Sequence, residues 1–190
     1  TEQELANILR ASRTPVREAL IQLANDGFIE ITSQRGTRIS LIDPAQVEED
    51  RFMRMCLEHR IAGMACAALS EEWFIRLQSL YDMHKLAFTL KDAKRFFELD
   101  EEFHQNICAS CGKDRYWEVI RKFSAHLVRA RVLNINSGYP VEWELVLEQH
   151  GAMLDAMRNR DAEAAARATE THLSRPGWDV KTLQERFGDY

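Results

Sequence analysis

The pattern of apolar and polar positions near the start of the chain changes from helical to strand-like. Residues 1–4 have the spacing of a capping box, and a short apolar helix follows them. A tight connection then leads into a second helix that starts within 12–15. Two β-prone runs, 28–32 and 37–41, flank a basic turn. The pattern predicts two helices in helix-turn-helix order, followed by a hairpin.

The second helix combines an apolar stripe with two arginines. Ser12 or Thr14 is expected to cap it. Arg13 and Arg17 lie one turn apart at its solvent-facing start, where guanidinium groups suit phosphates and guanine edges. An ordinary amphipathic helix with solvated arginines is the alternative, and the helix order and basic hairpin favour DNA recognition. The predicted buried stripe consists of Val16, Ala19, Leu20, Leu23 and Ala24.

Beyond residue 43 the pattern is helical almost throughout. Pro44 is expected to open the first of these helices. The two predicted domains are a winged helix-turn-helix over 1–43 and an all-α helical bundle over 44–190, which makes the fold class mainly α. The predicted helices lie near 45–69, 71–90, 92–110, 114–136, 140–158 and 161–174, with a short terminal piece near 179–187.

Composition and charge are those of a soluble globular protein. The chain is 45% hydrophobic and 29% charged. No apolar run approaches the ~20 residues of a membrane span, and no signal-peptide pattern opens the chain, so we expect a soluble, intracellular protein without a membrane partner. The net charge of −5 does not exclude a DNA-binding protein, because residues 1–42 carry as many arginines as acids and the acidic excess lies downstream.

The four cysteines do not form a disulfide framework. Cys108 and Cys111 form a single C-x-x-C motif without a second pair at zinc-finger spacing. A redox or metal role is the alternative to buried thiols at a helix end. Unpaired cysteines suit the reducing cytoplasm, which is the expected location.

Residues 1–41 resemble the winged helix-turn-helix of GntR-family bacterial regulators. The run SRTPVREAL over 12–20 and the Arg-Gly of the hairpin carry the resemblance. It implies an additional helix upstream of Thr1, so we expect the sequence to begin inside its DNA-binding domain. It also implies DNA contacts by Arg13, Thr14 and Arg17 on the recognition helix and by Arg35 and Gly36 on the wing. Gln3 stands where many members have a DNA-contacting arginine, and its amide can bond a phosphate or a base edge.

Four residues in the helical part have the chemistry of a metal site. Asp100 and His104 are spaced i, i+4 on one predicted helix, and His150 and His172 lie on two later helices. One carboxylate and three imidazoles suit a divalent ion such as Zn, Ni or Mn. A surface or hydrogen-bonded Asp/His pair, with structural histidines elsewhere, is the alternative from spacing alone.

Residues of about 47–174 resemble the FCD effector-binding domain of the FadR subfamily. The shared features are the Arg-Met-Cys-Leu-Glu run that begins at Arg54, and the four Asp and His residues in order and spacing. In the metal-containing branch these four positions ligate the ion. The resemblance also implies an effector-binding arginine at Arg54, and Arg131 is a second candidate. The remaining histidines match no ligand pattern and are expected to be surface or packing residues: His59, His84 and His126.

These features favour a ligand-responsive transcription regulator. We expect a homodimer on a palindromic DNA operator and a small organic-acid effector that occupies open metal positions. Two alternatives stay open. One is a metal-dependent hydrolase or lyase with Glu101 or Glu102 as general base, although an enzyme does not explain the arginine-bearing winged helix. The other is a bundle whose metal only stabilises the fold.

Overall fold

In a computed structural model the described residues are 1–32, 36–136 and 140–174. The N-terminal part contains α1 (Glu2–Leu9), α2 (Arg13–Asn25), β1 (Ile29–Thr32) and β2 (Gly36–Ile39). The strands are antiparallel, with Ile29 opposite Ile39 and Thr32 opposite Gly36. The predicted helix-turn-helix and hairpin are therefore present, and the hairpin tip at 33–35 lies outside the described residues.

The ends and core of these helices match the predictions in part. The capping box of α1 forms, because the Glu4 backbone N–H donates to the Thr1 hydroxyl at 3.2 Å and the Glu4 carboxylate contacts the Thr1 backbone nitrogen. Ser12 occupies the cap position of α2 as predicted, but the predicted hydrogen bond from its side chain to the first turn does not form. The stripe of α2 is buried only at Val16 and Leu20, which pack with Ala6. Its predicted members Ala19 and Leu23 are exposed.

The described part of the chain after residue 43 is all helical. Asp43 caps its first helix by accepting from the Ala45 N–H at 2.9 Å, and Pro44 begins the helix as predicted. Its helices are α3 (Pro44–Ala68), α4 (Glu71–Leu90), α5 (Ala93–Ser110), α6 (Asp114–Lys122), α7 (Ala125–Asn136), α8 (Pro140–Arg158) and α9 (Ala162–Leu173).

One predicted helix is divided into two. The pattern predicted a single helix over 114–136, but α6 ends at Lys122 and α7 begins at Ala125. The Phe123 N–H turns back to the carbonyl groups of Val119 and Ile120, and the Ser124 hydroxyl also donates to the Ile120 carbonyl. The sequence has no proline or glycine at this division that could have predicted it. The predicted piece near 179–187 lies outside the described residues.

The bundle places one face of α5 at its centre. Helix α9 packs along α3 and α8, while α4 packs against α5 and α8. The core contains Phe96, Leu99 and Phe103 of α5 and the fully buried Met153 and Met157 of α8. The polar side chains of Asp100 and His104 on α5 are buried in the same interior. No helix among the described residues is long and apolar enough to cross a membrane.

Helix α7 also contacts the segment that leads into the bundle. Arg129 donates to the Ser40 hydroxyl at 2.9 Å and to the Ser40 carbonyl at 2.5 Å. The Ser40 hydroxyl in turn donates to the Gly27 carbonyl at 2.7 Å. The Asp43 N–H donates to Nδ1 of His126 at 2.9 Å. These bonds connect the helix-turn-helix part to α7.

Candidate metal centre and DNA-binding surface

The four predicted metal ligands converge inside the bundle. Asp100 and His104 project from successive turns of α5, while His150 comes from α8 and His172 from α9. All four side chains are buried, and each offers one ligand atom within 4.8 Å of the others. The structure therefore brings together three helices at a point that the sequence identified by residue type and spacing.

The distances between ligand atoms are close to those around a single ion. Nε2 of His104 lies 3.2 Å from Nε2 of His172, and Nε2 of His150 lies 3.6 Å from Oδ1 of Asp100. Bonds of about 2.0–2.2 Å to one ion place neighbouring ligand atoms about 3–4 Å apart. The widest separation of 4.8 Å requires only a small inward movement of the side chains. The donor set thus fits a divalent ion.

Two of the imidazoles are held by partners on their far side. Nδ1 of His172 is hydrogen-bonded to Oε1 of Gln149 at 3.0 Å, and Nδ1 of His104 lies 2.5 Å from Oε2 of Glu58, a close ion contact without hydrogen-bond angles. An acceptor at Nδ1 favours the tautomer that carries its proton there, which leaves the Nε2 lone pair for a metal. Glu58 and Gln149 therefore orient these rings toward the centre.

The third imidazole is buried without hydrogen bonds. Both ring nitrogens of His150 lack a hydrogen-bond partner within the described part of the chain. The ring stacks on Phe103 with centroids 4.4 Å apart. A buried polar group without a partner is costly. Coordination of an ion by Nε2 would remove part of that cost, which is a second reason that the residues fit a metal.

Burial prepares these side chains for coordination. Desolvation, followed by repulsion from the neighbouring histidine, holds the pKa of His150 well below its usual value, and the pKa of His172 is lowered in the same way. Both rings are therefore neutral at pH 7, as metal ligation requires. Burial opposes the ionisation of Asp100, but attraction by the Arg131 guanidinium outweighs it, so the pKa of this carboxyl lies well below its usual range.

The two predicted effector arginines lie beside the cluster and contact the same carboxylate. Oε1 of Glu101 is 3.2 Å from Nη1 of Arg54 and also contacts Nη1 of Arg131. Arg131 additionally binds Oδ2 of Asp100, and Arg54 binds Glu58. Both guanidinium groups are buried, and their ion pairs position three carboxylates around the centre.

A small cavity opens next to this group. It has a volume of about 20 Å³ and is lined by Arg51, Arg54, Arg131, His172 and two leucines. That space holds about one water molecule. An organic acid would require the side chains around the cavity to rearrange.

The sequence did not predict several members of this site. Glu58 lies four residues after Arg54 on α3, and this i, i+4 spacing was a usable signal. No local signal identified Gln149, because its partner His172 lies on another helix. His84 is a packing residue as expected. Its ring is fully buried, 5.3 Å from that of His150, and desolvation lowers its pKa to about 4.

The other two unassigned histidines are not members of the four-residue cluster. His59 is half exposed, with Nε2 3.8 Å from the Glu170 carboxylate, and Nδ1 of His126 on α7 accepts from the Asp43 N–H. The C-x-x-C motif consists of free thiols, and burial raises the pKa of both Cys108 and Cys111. This favours packed thiols over a reactive pair.

The predicted DNA-contacting residues form an exposed surface at the start of α2. Arg13, Thr14 and Arg17 are exposed, and the two guanidinium groups lie 3.5 and 3.4 Å from the Glu2 carboxylate. Gln3 is exposed on α1 and donates to the Asn7 side chain.

The wing supplies one further position on this surface. Gly36 is exposed at the start of β2 with a φ of +94°, a left-handed conformation that glycine adopts without strain. Arg35 lies outside the described residues.

Comparison with known proteins identifies the family to which this chain belongs. The family of bacterial regulatory proteins named gntR matches residues 1–39, and the FCD domain matches residues 51–175. The chain belongs to the GntR family and carries an FCD domain. It is a DNA-binding transcriptional regulator of the GntR/FCD type.

Individual relatives agree with this assignment. The HTH-type transcriptional repressor RspR of Escherichia coli K12 is 31% identical over 190 residues, which cover the whole chain and 82% of RspR. The HTH-type transcriptional repressor NanR of Cronobacter sakazakii is 25% identical over 192 residues, which cover 92% of this chain and 73% of NanR.

Solved structures share the fold of this GntR/FCD regulator. E. coli McbR/YncC has a TM-score of 0.82 at 19% identity and covers 98% of this chain and 87% of its own. A putative GntR regulator from Rhodococcus sp. RHA1 has a TM-score of 0.75 at 20% identity, with coverage of 96% and 86%.

Proposed function

We propose that this regulator responds to a small carboxylate effector through a metal centre in its FCD domain, and that it belongs to the FadR subfamily. Asp100, His104, His150 and His172 hold a divalent ion, Zn, Ni or Mn. The observation that carries the proposal is the convergence of four buried ligand atoms within 4.8 Å. A bound ion supplies positive charge and open coordination positions for a carboxylate. The regulator acts in the cytoplasm.

The effector is recognised by Arg54 and Arg131. Both guanidinium groups are buried beside the cluster, and both line the small cavity next to His172. A guanidinium binds a carboxylate through two parallel hydrogen bonds, which gives orientation as well as affinity. These arginines would hold the oxygens of the effector that do not approach the metal.

Operator DNA is bound by the exposed surface at the start of α2 and by the wing. Arg13, Thr14 and Arg17 enter the major groove, while Gln3 and the wing residues Arg35 and Gly36 contact the flanking backbone or bases. One winged helix reads only a half-site, so a homodimer places two of them on a palindromic operator. The domain division proposed for this arrangement is 1–43 and 44–190.

Helix α7 connects the effector site to the DNA-binding part. Arg131 contacts Asp100 and Glu101 at the cluster, and Arg129, two residues earlier, binds the Ser40 hydroxyl and carbonyl. A shift of α7 that follows a rearrangement of Arg131 therefore reaches the chain segment next to the wing. This gives effector binding a physical route to the operator affinity.

A thermal-shift screen of small organic acids, with and without added divalent metal, tests the proposal. We expect stabilisation by a carboxylate only when the metal is present, and an altered operator affinity under the same conditions. His150→Ala should abolish both responses and leave operator binding intact. A protein that unfolds on metal removal, with no acid response, would indicate a purely structural ion. Turnover of an acid by the metal-loaded protein would favour a hydrolase or lyase.

A further inference from the structure

Glu101 occupies the position between the two arginines that recognise the effector. Its Oε1 atom is 3.2 Å from Nη1 of Arg54 and also contacts Nη1 of Arg131. A single carboxylate oxygen thus joins two guanidinium groups that come from α3 and α7. The arginines are almost fully buried, whereas the Glu101 side chain is 22% exposed. Of the three side chains, Glu101 is the one with access to solvent.

The surroundings of Glu101 show where a ligand would enter and where this side chain could go. On one side Glu101 lines a cleft of about 1000 Å³, whose walls include Gln22 and Phe28 of the N-terminal part. The arginines it contacts line the 20 Å³ cavity, which also contains His172. Glu101 therefore lies between an open cleft, which it lines, and the two arginines that line the small cavity beside His172.

One arginine retains an unused donor. Nη2 of Arg54 is buried and has no hydrogen-bond partner among residues 1–32, 36–136 and 140–174. Glu101 contacts only Nη1 of this guanidinium, and Glu58 contacts Nε. A carboxylate that bound through both oxygens would satisfy Nη2 as well, because the guanidinium fork matches two parallel acceptors. Glu101 therefore leaves one donor of Arg54, Nη2, without an acceptor among the described residues.

In the absence of a metal ion, the charges at the site favour exchange of Glu101 for another carboxylate over the addition of one. Among the described residues, Arg54 and Arg131 pair with the carboxylates of Glu58, Asp100 and Glu101, and these five groups together carry one net negative charge. A divalent ion changes that to one net positive charge. An added anion is repelled in the first case. A ligand carboxylate that takes the place of Glu101 leaves the local balance unchanged.

We propose that Glu101 is an internal competitor of the effector, and that a ligand carboxylate binds by displacing Glu101 from Arg54 and Arg131 toward the cleft. The inference rests on the proposed role of the two arginines in effector binding. It makes the affinity of the site for carboxylates depend on how tightly Glu101 holds the arginines. Glu101 thereby raises the effector concentration at which the regulator responds.

Calorimetric titration with succinate, in the presence of zinc, tests this competition. Glu101→Gln removes the competing charge, and we expect it to bind succinate about tenfold more tightly, the effect of losing one charge-assisted contact. Glu101→Asp keeps the charge but shortens the reach to both arginines, so an intermediate gain is expected. Glu98→Gln is the matched control. It removes a carboxylate from the same helix and cleft, where Glu98 contacts Arg95 at 3.2 Å, and should bind like the parent.

The result for each variant decides between displacement and a general charge effect. Equal gains in Glu101→Gln and Glu98→Gln, with none in Glu101→Asp, would mean that charge alone acts and would overturn the proposal. Equal affinity in the parent and both Glu101 variants, or no succinate binding by any of them, would overturn it as well. The zinc content of the same samples reports on the metal centre separately. Circular dichroism establishes that each variant is folded.

Discussion

Replacement of Arg129 by Met should uncouple the effector site from operator binding. Arg129 is a half-buried side chain on α7 that donates two hydrogen bonds to Ser40, and Ser40 bonds Gly27 in turn. Methionine keeps much of the aliphatic volume and removes both donors. The ligands of the metal centre and the arginines around it are left in place.

The expected magnitude follows from those two bonds. Hydrogen bonds from a charged group contribute about 1.5–3 kcal/mol each when buried, and partial exposure reduces their sum here to about 2 kcal/mol. That energy corresponds to roughly a 30-fold change in an equilibrium constant. Coupling between two sites is commonly about 5- to 150-fold. The loss is therefore large enough to remove most of the effect of the ligand on DNA binding.

Fluorescence anisotropy with labelled operator measures the ratio of affinities with and without the stabilising acid. In Arg129→Met this ratio should approach one, while acid binding and metal content stay at parental values. Arg115→Met, at an exposed position on α6, is the control and should retain the full ratio. If Arg129→Met also retains it, α7 does not transmit the signal through Ser40.

Three further predictions follow. Arg17→Ala and Arg13→Ala should each weaken operator binding by about tenfold or more, since a bidentate base contact contributes roughly 1–3 kcal/mol; parental affinity in both variants would place the recognition helix elsewhere. Burial, only partly offset by the hydrogen bond from the Leu127 N–H, raises the pKa of Asp50 to about 6. The folded state thus binds the proton of Asp50 more tightly than the unfolded state does. The free energy of unfolding therefore increases as pH falls from about 7 to 4. Asp50→Asn should therefore raise the free energy of unfolding by about 1 kcal/mol at pH 7.5 and leave it unchanged at pH 4, as measured by urea unfolding. A variant that is less stable than the parent at pH 7.5 would refute this. Light scattering at micromolar concentration should give twice the mass of one chain, and a folded monomer would count against the paired half-site geometry.

Periodicity predicted the helices of the bundle because their apolar stripes face one core. The division between α6 and α7 escaped this reasoning, since no proline or glycine lies between Lys122 and Ala125 to mark it. The stripe of α2 was overestimated for a related reason. Whether Leu23 is buried depends on which other segments pack against it, and periodicity contains no information about them.

The candidate site was predictable in its ligands but not in their partners. Asp100 and His104 share a helix face at i, i+4, which is a local signal. Gln149 reaches His172 from another helix, and Glu101 is held by arginines of α3 and α7. Such contacts arise only when distant segments pack together. The sequence alone therefore did not reveal that the effector arginines already contact a carboxylate.

The metal content of tag-free protein, purified without chelator, tests the central claim most directly. Elemental analysis by mass spectrometry should find about one divalent ion per chain in the parent and in the control His59→Ala, whose ring is half exposed and is not one of the four ligands. His150→Ala and His172→Ala should lose the ion and stay folded. A parent without bound metal, or a His150→Ala protein that retains it, would contradict the assignment of these side chains as a metal centre.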